Sequence, residues 1–426
     1  MRGRQESPSA LFYVIDVEAR IRPDHPLRAV KQAVDRILAQ MHERFAAAYS
    51  RVGRPSIPPE RLLKALLLMA LYSIRSERQL VERIDTDLLF RWFLEMSPDE
   101  LTFDATSFTH NRPRLEEHGL TKAFFDAVLS QALTANLCSE HFSVDGTLIE
   151  SHASMKSFQP KKATEMAADS TKDKNSPDND SSGGAGTSDG NTEDSSKDVK
   201  ATDNSSKDAA GPSGSSNCFK PRNAEVDFHG QKRTNQTHES RTDLEAKLYR
   251  KSKGQESKLA HMAHVLSENR HGLIIGIMAS EANGTAERTA ALDLIDELQE
   301  RHQVKPKTVG ADKGYDSGEF FEELEKRQIE PHGAMTSTPP RDPEKAPAKD
   351  RARVQARQRM LERLSSEGYR LSQKSRKKVE ECFGWLKTIA GLGRSRVVGR
   401  WKLQQLLDLG AAAFNLLRMR KLKAVG

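Results

Sequence analysis

The chain has 426 residues, room for two or three domains with a sizeable core, and its 36% hydrophobic and 30% charged content gives it a very polar surface. Its formal charge of +7 leans toward polyanionic partners, and unevenly: residues 169–216 carry ten acids and five lysines, so the rest of the chain holds +12. Three scattered cysteines (Cys138, Cys218, Cys382) without a CxxC pair suggest neither a disulfide framework nor a zinc site. The opening MRGRQESPSALFYVID lacks the apolar run of a signal peptide, and LLKALLLMALY falls short of the roughly 20 residues that span a bilayer. A reducing, cytoplasmic setting is expected.

The first 140 residues read as helical. RPSIPPERLLKALLLMALY opens on prolines and is apolar nearly all round, the pattern of a buried helix. Ser76 and Gln79 then form a capping box that restarts a helix at SERQLVERID. Shorter helices follow at DLLFRWFLEM and DATSFTHNRPRLEEHG, and a clearer one at TKAFFDAVLSQAL. These helices suit either a helix-turn-helix or a dimer-forming role, and the sequence does not choose.

HFSVDGTLIE alternates like a strand and carries Asp145 just before a glycine. The Ser-, Asp- and Gly-rich stretch after it has almost no large apolar residue to offset the entropy of ordering, so a disordered insertion is expected. KLAHMAHVLSENRHGLIIGIMASEA reads as a β-hairpin, GTAERTAALDLIDELQERH as a helix, and PKTVGADKGYD as a short strand ending at Asp312. Helix SGEFFEELEKRQ, strand IEPHGAM and a long helical segment through FGWLK follow, before a tail with eight Lys or Arg and one acid, Asp408. This succession predicts an α/β fold, a mixed sheet with helices on its faces.

Two aspartates sit where open α/β sheets place their sites, Asp145 within one strand and Asp312 at the end of another. On the helix RKKVEECFGWLK, Arg376, Glu380, Phe383 and Lys387 fall within a wedge of roughly 60°, and Glu381 lies roughly 130° from it. Glu380 therefore borders the apolar face of Val379, Cys382, Leu386, Ile389 and Ala390, whereas Glu381 is expected to point more toward solvent. Gly384, one turn on, would let a backbone or nucleic-acid strand approach. Three carboxylates without a Cys or His cluster suit a hard cation, Mg²⁺ or Mn²⁺. Two such ions would stand about 3.5–4 Å apart, one activating a nucleophilic oxygen and one steadying the leaving oxygen of a phosphodiester. Arg376 and Lys387 would bind phosphate; ordinary i,i+4 pairing of Arg376 with Glu380 is the structural alternative.

At these residues the chain resembles the DDE-type insertion-sequence transposases, in the branch whose third motif is Y-(2)-R-(3)-E-(6)-K. Arg376, Glu380 and Lys387 match its spacing, with Gln373 at the tyrosine position. VDGTLIESHASMKSFQPK is similar to the segment of the family's first aspartate, GADKGYDS to that of its second, and EANGTAERTAAL to the start of its crossover helix. RTDLEAKLYRKSKGQESKLAHMAHVLSENRHGLI is similar to its central hairpin region, and GRPSIPPERLLKALLLMALYSIRSERQLVERIDTDLLFRWFLEM to its helical amino-terminal domain. Nearly the whole chain outside the acidic insertion takes part.

The resemblance implies an RNase H-like catalytic domain preceded by an all-helical domain. The expected divisions are 1–137 helical, 138–165 first catalytic strand, 166–218 insertion, 219–392 remaining catalytic domain and 393–426 basic helical tail. It implies Asp145, Asp312 and Glu380 as catalytic metal ligands for Mg²⁺ or Mn²⁺, two ions in all, with Arg376 and Lys387 in support. Arg394, Arg396, Arg400 and Lys402 are expected to meet DNA, both the terminal inverted repeats and the target, in a homo-oligomer of which a dimer is the simplest. The implied activity is cleavage of element ends and joining of the 3′-hydroxyl to target DNA. A metal-dependent nuclease without strand transfer, or an inactive DNA-binding relative, stays open at this point.

Overall fold

The computed structural model describes residues 14–50, 52, 53, 55–161, 233–250, 254–337 and 342–425. The insertion expected over 166–218, with Cys218, lies outside these residues. Described residues up to 159 and from 234 on belong to one compact unit.

The amino-terminal part is a succession of helices: α1 (Val17–Arg20), α2 (Pro26–Gln40), α3 (His42–Ala48), α4 (Pro59–Leu71), α5 (Glu77–Thr86), α6 (Leu88–Leu94), α7 (Thr106–Glu117) and α8 (Leu120–Thr134). Apolar spacing sets their packing. In α2, Leu27, Val30, Val34, Ile37 and Leu38 fall on one stripe and are buried. In α4 every residue from Leu62 to Ala70 is buried, as its all-round apolar sequence requires. Lys64 tolerates this position because its ammonium meets Asp35 at 2.6 Å and Glu95 at 3.3 Å. At the start of α5 the Ser76 hydroxyl accepts the Gln79 backbone N–H at 3.2 Å, the helix start expected there.

The main sheet contains β1 (His141–Glu150), β4 (Lys247–Tyr249), β5 (Lys258–Glu268), β6 (Ile274–Glu281), β7 (Thr308–Ala311) and β8 (Glu330–Gly333). Two short strands, β2 (Phe158–Pro160) and β3 (His238–Ser240), pair separately. β5 is antiparallel to β1 on one side and to β6 and β4 on the other, while β1, β7 and β8 run parallel. The order β6–β5–β1–β7–β8, antiparallel in one half and parallel in the other, is the expected mixed sheet, an RNase H-like fold. Strand β5 is buried from Leu259 to Glu268, and three of its polar side chains find partners there. His261 meets Asp243 at 2.9 Å, His264 meets Ser280 at 2.7 Å, and Glu268 accepts the Arg270 N–H at 2.8 Å to close the hairpin turn.

Helix α9 (Ala286–His302) crosses from β6 to β7 and buries Ala290, Ala291, Leu294, Ile295 and Leu298. After β7 come α10 (Gly318–Lys326), then β8, α11 (Arg351–Arg363), α12 (Glu367–Ser375), α13 (Lys377–Thr388) and α14 (Arg400–Val425). The basic tail is helical as expected, yet the centre of α14 is core: Leu403, Leu407, Ala411, Ala412 and Ala413 have no solvent exposure. This helix packs against α8, α4 and β6. Its amides also complete the free edge of β6. Asn415 accepts the Ile274 N–H at 2.9 Å and donates to the Ile274 carbonyl at 2.7 Å, and Gln404 accepts the Ala279 N–H at 2.7 Å. An edge strand covered in this way offers no template for another chain. No described helix is long and apolar enough to cross a membrane.

Candidate active site

Strand register brings the two aspartates abreast. His141, Phe142 and Ser143 of β1 pair in parallel with Thr308, Val309 and Gly310 of β7. Extended two residues past the last pair, that register makes Asp145 and Asp312 counterparts at the point where the β1–β7 ladder has ended. β7 ends at Ala311, so Asp312 stands at the mouth of the crevice beyond the strand. Its carboxylate accepts the Gly314 N–H at 2.8 Å and starts a short 3₁₀ turn, while Asp145 accepts the Gly146 N–H at 2.8 Å. Both aspartates are half-buried.

Helices α12 and α13 cover the face from which these aspartates project. Ser143, Asp145 and Thr147 share that face by the period of two along a strand. A methyl added to Gly310 would sit 2.8 Å from the Ser372 hydroxyl and 3.1 Å from that of Ser143, so α12 lies close upon the sheet. Lys387 of α13 donates to the Thr147 hydroxyl at 2.6 Å, and Lys378 at the other end donates to the Asn269 carbonyl at 2.7 Å. Glu380 lies between these two anchors. Its side chain is 63% exposed, and its carboxylate meets Arg376 at 3.9 Å, the i,i+4 pair weighed above.

The helix differs in detail from its expected wheel. Val379, Cys382, Leu386 and Ala390 are buried, but so is Phe383, while Ile389 beyond the helix end is exposed. Glu381 is 61% exposed and meets Arg418 at 3.5 Å, so it is no more solvent-directed than Glu380; the long α14 brings it a partner that the local wheel does not contain. An added methyl at Gly384 meets open space.

Gln373, at the family's tyrosine position, has a definite task. Its amide donates to the Ala311 carbonyl at 3.3 Å and also to the His332 carbonyl, tying the ends of β7 and β8 directly before Asp312. On the far side of the same turn the buried Asp316 carboxylate accepts two hydrogen bonds from Arg357 at 2.9 Å and the Thr336 N–H at 2.9 Å. Burial works against ionisation of Asp316, yet these donors hold its carboxyl below the usual range. The loop bearing Asp312 is therefore fixed at both ends.

Two residues that local sequence signals did not single out also belong here. A methyl at Gly146 would stand 2.8 Å from the Glu287 side chain, and one at Gly314 would stand 3.0 Å from Asp312 Oδ1 and 3.2 Å from Glu287 Oε2. Tyr315 is 1% exposed, and its hydroxyl has no hydrogen-bond partner among the described residues. Burial first, and then the charges of Glu287, Asp145 and Asp312, push its phenol well above the usual range. Glu287 reads as an ordinary first-turn acid and Tyr315 as an ordinary core aromatic, because what marks them is proximity across distant segments.

Among the described residues no group of three or more His, Cys, Asp or Glu is set in metal-holding geometry. The donor set nonetheless fits a hard cation. Its carboxylates stand on β1, at Asp145, and directly past the end of β7, at Asp312, and oxygen donors of this kind suit such an ion.

The cations expected to meet DNA are placed differently from one another. Arg396 donates to the Ile74, Ala390 and Gly391 carbonyls and serves as an internal tie. Arg394 joins the end of β1 through a backbone bridge to Glu150. Arg400 meets Glu245 at 3.5 Å, and Lys402 lies 5.0 Å from the Trp401 ring centroid.

Comparison with known proteins gives the lineage. A family model described as a transposase domain (DUF772) matches residues 15–114, and one described as a transposase DDE domain matches residues 225–416. No curated protein matches the chain significantly. Among solved structures, the Mos1 strand transfer complex matches at 13% identity over 84% of this chain and 87% of that chain, with a TM-score of 0.19. A pre-cleavage Mos1 transpososome matches at 12% identity over the same shares, with a TM-score of 0.18. Superpositions this poor carry no argument, and the fold rests on the strand order above. With two transposase domains matched in chain order, over residues 15–114 and 225–416, the chain belongs to the DDE-type transposases.

Proposed function

We propose that this transposase cleaves the phosphodiester bonds at the ends of its element and joins the freed 3′-hydroxyl to target DNA, using Asp145, Asp312 and Glu380. The observation that carries the reading is the parallel register of β1 and β7, which sets Asp145 and Asp312 side by side at the crevice. Glu380 lies on α13 between the Lys378 and Lys387 anchors, where its exposed carboxylate is paired with Arg376, and in this reading it joins the aspartates when DNA and metal bind.

Bound Mg²⁺ or Mn²⁺, two ions in the full site, would supply Lewis-acid activation of the attacking oxygen and charge stabilisation of the leaving one. The protein's part is to hold its carboxylates ionised and fixed, and to grip phosphate. Arg376 and Lys387 flank Glu380 along one helix and suit phosphate oxygens on either side of the scissile bond. Gln373 and Asp316 hold the Asp312 turn so that little reorganisation is needed when substrate arrives.

DNA is the partner in this reading, both terminal inverted repeats and target, and the +12 outside the insertion supports contact with its backbone. Arg400 and Lys402 suit phosphate contact, whereas the three carbonyls on Arg396 favour a structural role. Two element ends must be processed together, so a homodimer is part of the proposal, as is a cytoplasmic setting where the DNA resides. The domain divisions 1–137, 138–165, 166–218, 219–392 and 393–426 are kept as proposed working boundaries.

The test is cleavage of an end-containing duplex in Mg²⁺ followed by a strand-transfer assay. Wild-type protein is expected to give both nicked and joined products, and Asp145→Ala neither. Normal cleavage by Asp145→Ala would remove the metal role, and nicks without joined product would favour a nuclease.

A further inference from the structure

Helices α4 and α5 are joined by the short turn 72–76. Ser73 takes a left-handed conformation there, φ 55°, which ends α4 and redirects the chain. Helix α4 is core from Leu62 to Ala70, whereas α5 buries only Leu80 and Ile84. At about 100° per residue, Arg78, Gln79, Glu82 and Thr86 fall opposite those two anchors, and all four are exposed. A buried first helix, a sharp turn and a second helix with a free polar face are the parts of a helix-turn-helix.

A polar face alone would mean little, since every amphipathic helix turns one to water. The arginines supply a second observation. Elsewhere on the amino-terminal helices and their turns, Arg22, Arg28, Arg61, Arg91 and Arg112 each meet an acid. Two of those acids, Glu77 and Asp85, belong to α5 itself. Arg75, Arg78 and Arg83 meet no acid among the described residues, although Arg83 lies 5.3 Å from the Phe90 ring centroid. Three free arginines against Glu82 leave the face cationic. Beside the helix lies an open cleft of about 510 Å³, lined by Ser73, Arg75, Gln79, Glu82, Arg83 and Thr86 among others. Among the described residues no exposed large apolar side chain stands on the turn or on α5, so the face lacks the apolar centre of a homodimer interface.

We propose that α5 enters the major groove of the element ends and reads their base pairs, while the turn and cleft seat on the flanking phosphates. This rests on the reading of DNA as the substrate given above. A helix about 10–12 Å across fits a groove about 12 Å wide. Arg78 and Gln79 lie in the first turn of α5, the part of such a helix that reaches base edges. Their chemistry suits guanine O6 and N7 and adenine N6 and N7, and Glu82 suits a cytosine amino group. Arg75 and Arg83, at the cleft, take phosphate. Arg396 ties this turn to the catalytic domain: it donates to the Ile74 carbonyl and to those of Ala390 and Gly391, just past α13. The bases that α5 reads therefore stand at a fixed offset from the bond that is cut.

The test uses the full-length protein in buffer without divalent metal, so that the catalytic carboxylates take no part, and a library of randomised duplexes as the probe. Wild-type protein is expected to enrich one sequence motif. Arg78→Ala and Gln79→Ala are expected to lower the preference at one or two positions of that motif by about tenfold, and Gln79→Ala to leave affinity for unselected duplex unchanged. Arg75→Ala and Arg83→Ala are expected to weaken all duplexes alike, each lowering the slope of log affinity against log salt by about 1. Thermal melting of these exposed-site variants should match wild type. A wild-type motif and salt slope in all four would overturn the inference and leave DNA as the substrate. So would a wild-type protein that binds duplex but enriches no motif, or an Arg78→Glu protein that loses self-association and keeps its motif, which would give the face to a second copy. Wild-type protein that binds no duplex at all would overturn both readings.

Discussion

Replacing Asp408 with asparagine will stabilise this transposase at pH 8 and change little at pH 5. Asp408 is 1% exposed where α14 meets α8, and its carboxylate accepts the Thr121 hydroxyl at 3.2 Å and the Gln404 amide at 2.8 Å. Burial pushes its carboxyl from 3.8 up to about 7, with the Lys122 charge and the two hydrogen bonds restraining the rise. The folded protein thus keeps a proton that the unfolded chain releases. Because the folded value is the higher one, the stabilisation is complete below about pH 4 and is lost as pH rises through about 7. Roughly three pH units at about 1.4 kcal/mol each set an upper limit near ~4 kcal/mol, and relaxation around the buried charge brings this to ~2 kcal/mol. Asparagine keeps the shape and does not titrate. Urea unfolding at pH 5 and pH 8 measures the effect: wild type should lose ~2 kcal/mol more than Asp408→Asn between the two. Parallel pH profiles would refute the reasoning.

Gln373→Ala should unfasten the ends of β7 and β8, lowering cleavage by about tenfold through the Asp312 turn while DNA affinity holds; cleavage and gel-shift assays separate the two. Arg396→Ala should cost about 2 kcal/mol of stability by leaving buried carbonyls unpaired, without changing the salt dependence of DNA binding. Lys402→Ala should do the reverse, reducing the slope of log affinity against log salt by about 1 at unchanged stability. Lys387→Met should impair cleavage more than binding, since the ammonium reaches Thr147 beside the Asp145 segment; equal losses in both would refute a site-specific role.

Much of the fold was legible because local pattern and final burial agree. HFSVDGTLIE forms β1 from His141 to Glu150, the apolar runs on either side of ENRHG form β5 and β6, and TAALDLIDELQERH forms most of α9. Ser76 begins α5 because its hydroxyl satisfies a helix-start N–H, a purely local matter. Ile389 and Phe383 went the other way, since an ideal wheel cannot tell where a helix ends or which neighbour covers its rim. The tail is helical as expected, but its eight cations say nothing of its packing: the uncharged Leu403–Leu417 stretch, broken by Asp408 alone, supplies core to the amino-terminal helices and an edge cover to β6.

By itself the sequence determined that Asp145 lies within a strand and Asp312 at the end of another, which helix carries Glu380 and which family the motifs resemble, because each depends on spacing within a short stretch. Only the tertiary structure decided that Asp145 and Asp312 lie abreast, that Gln373 ties the strand ends before Asp312, and that Glu287 turns inward over Gly146 and Gly314. Those relations are set by strand register and by the layers packed on the sheet, and they join residues tens to more than a hundred positions apart, where periodicity along the chain carries no information.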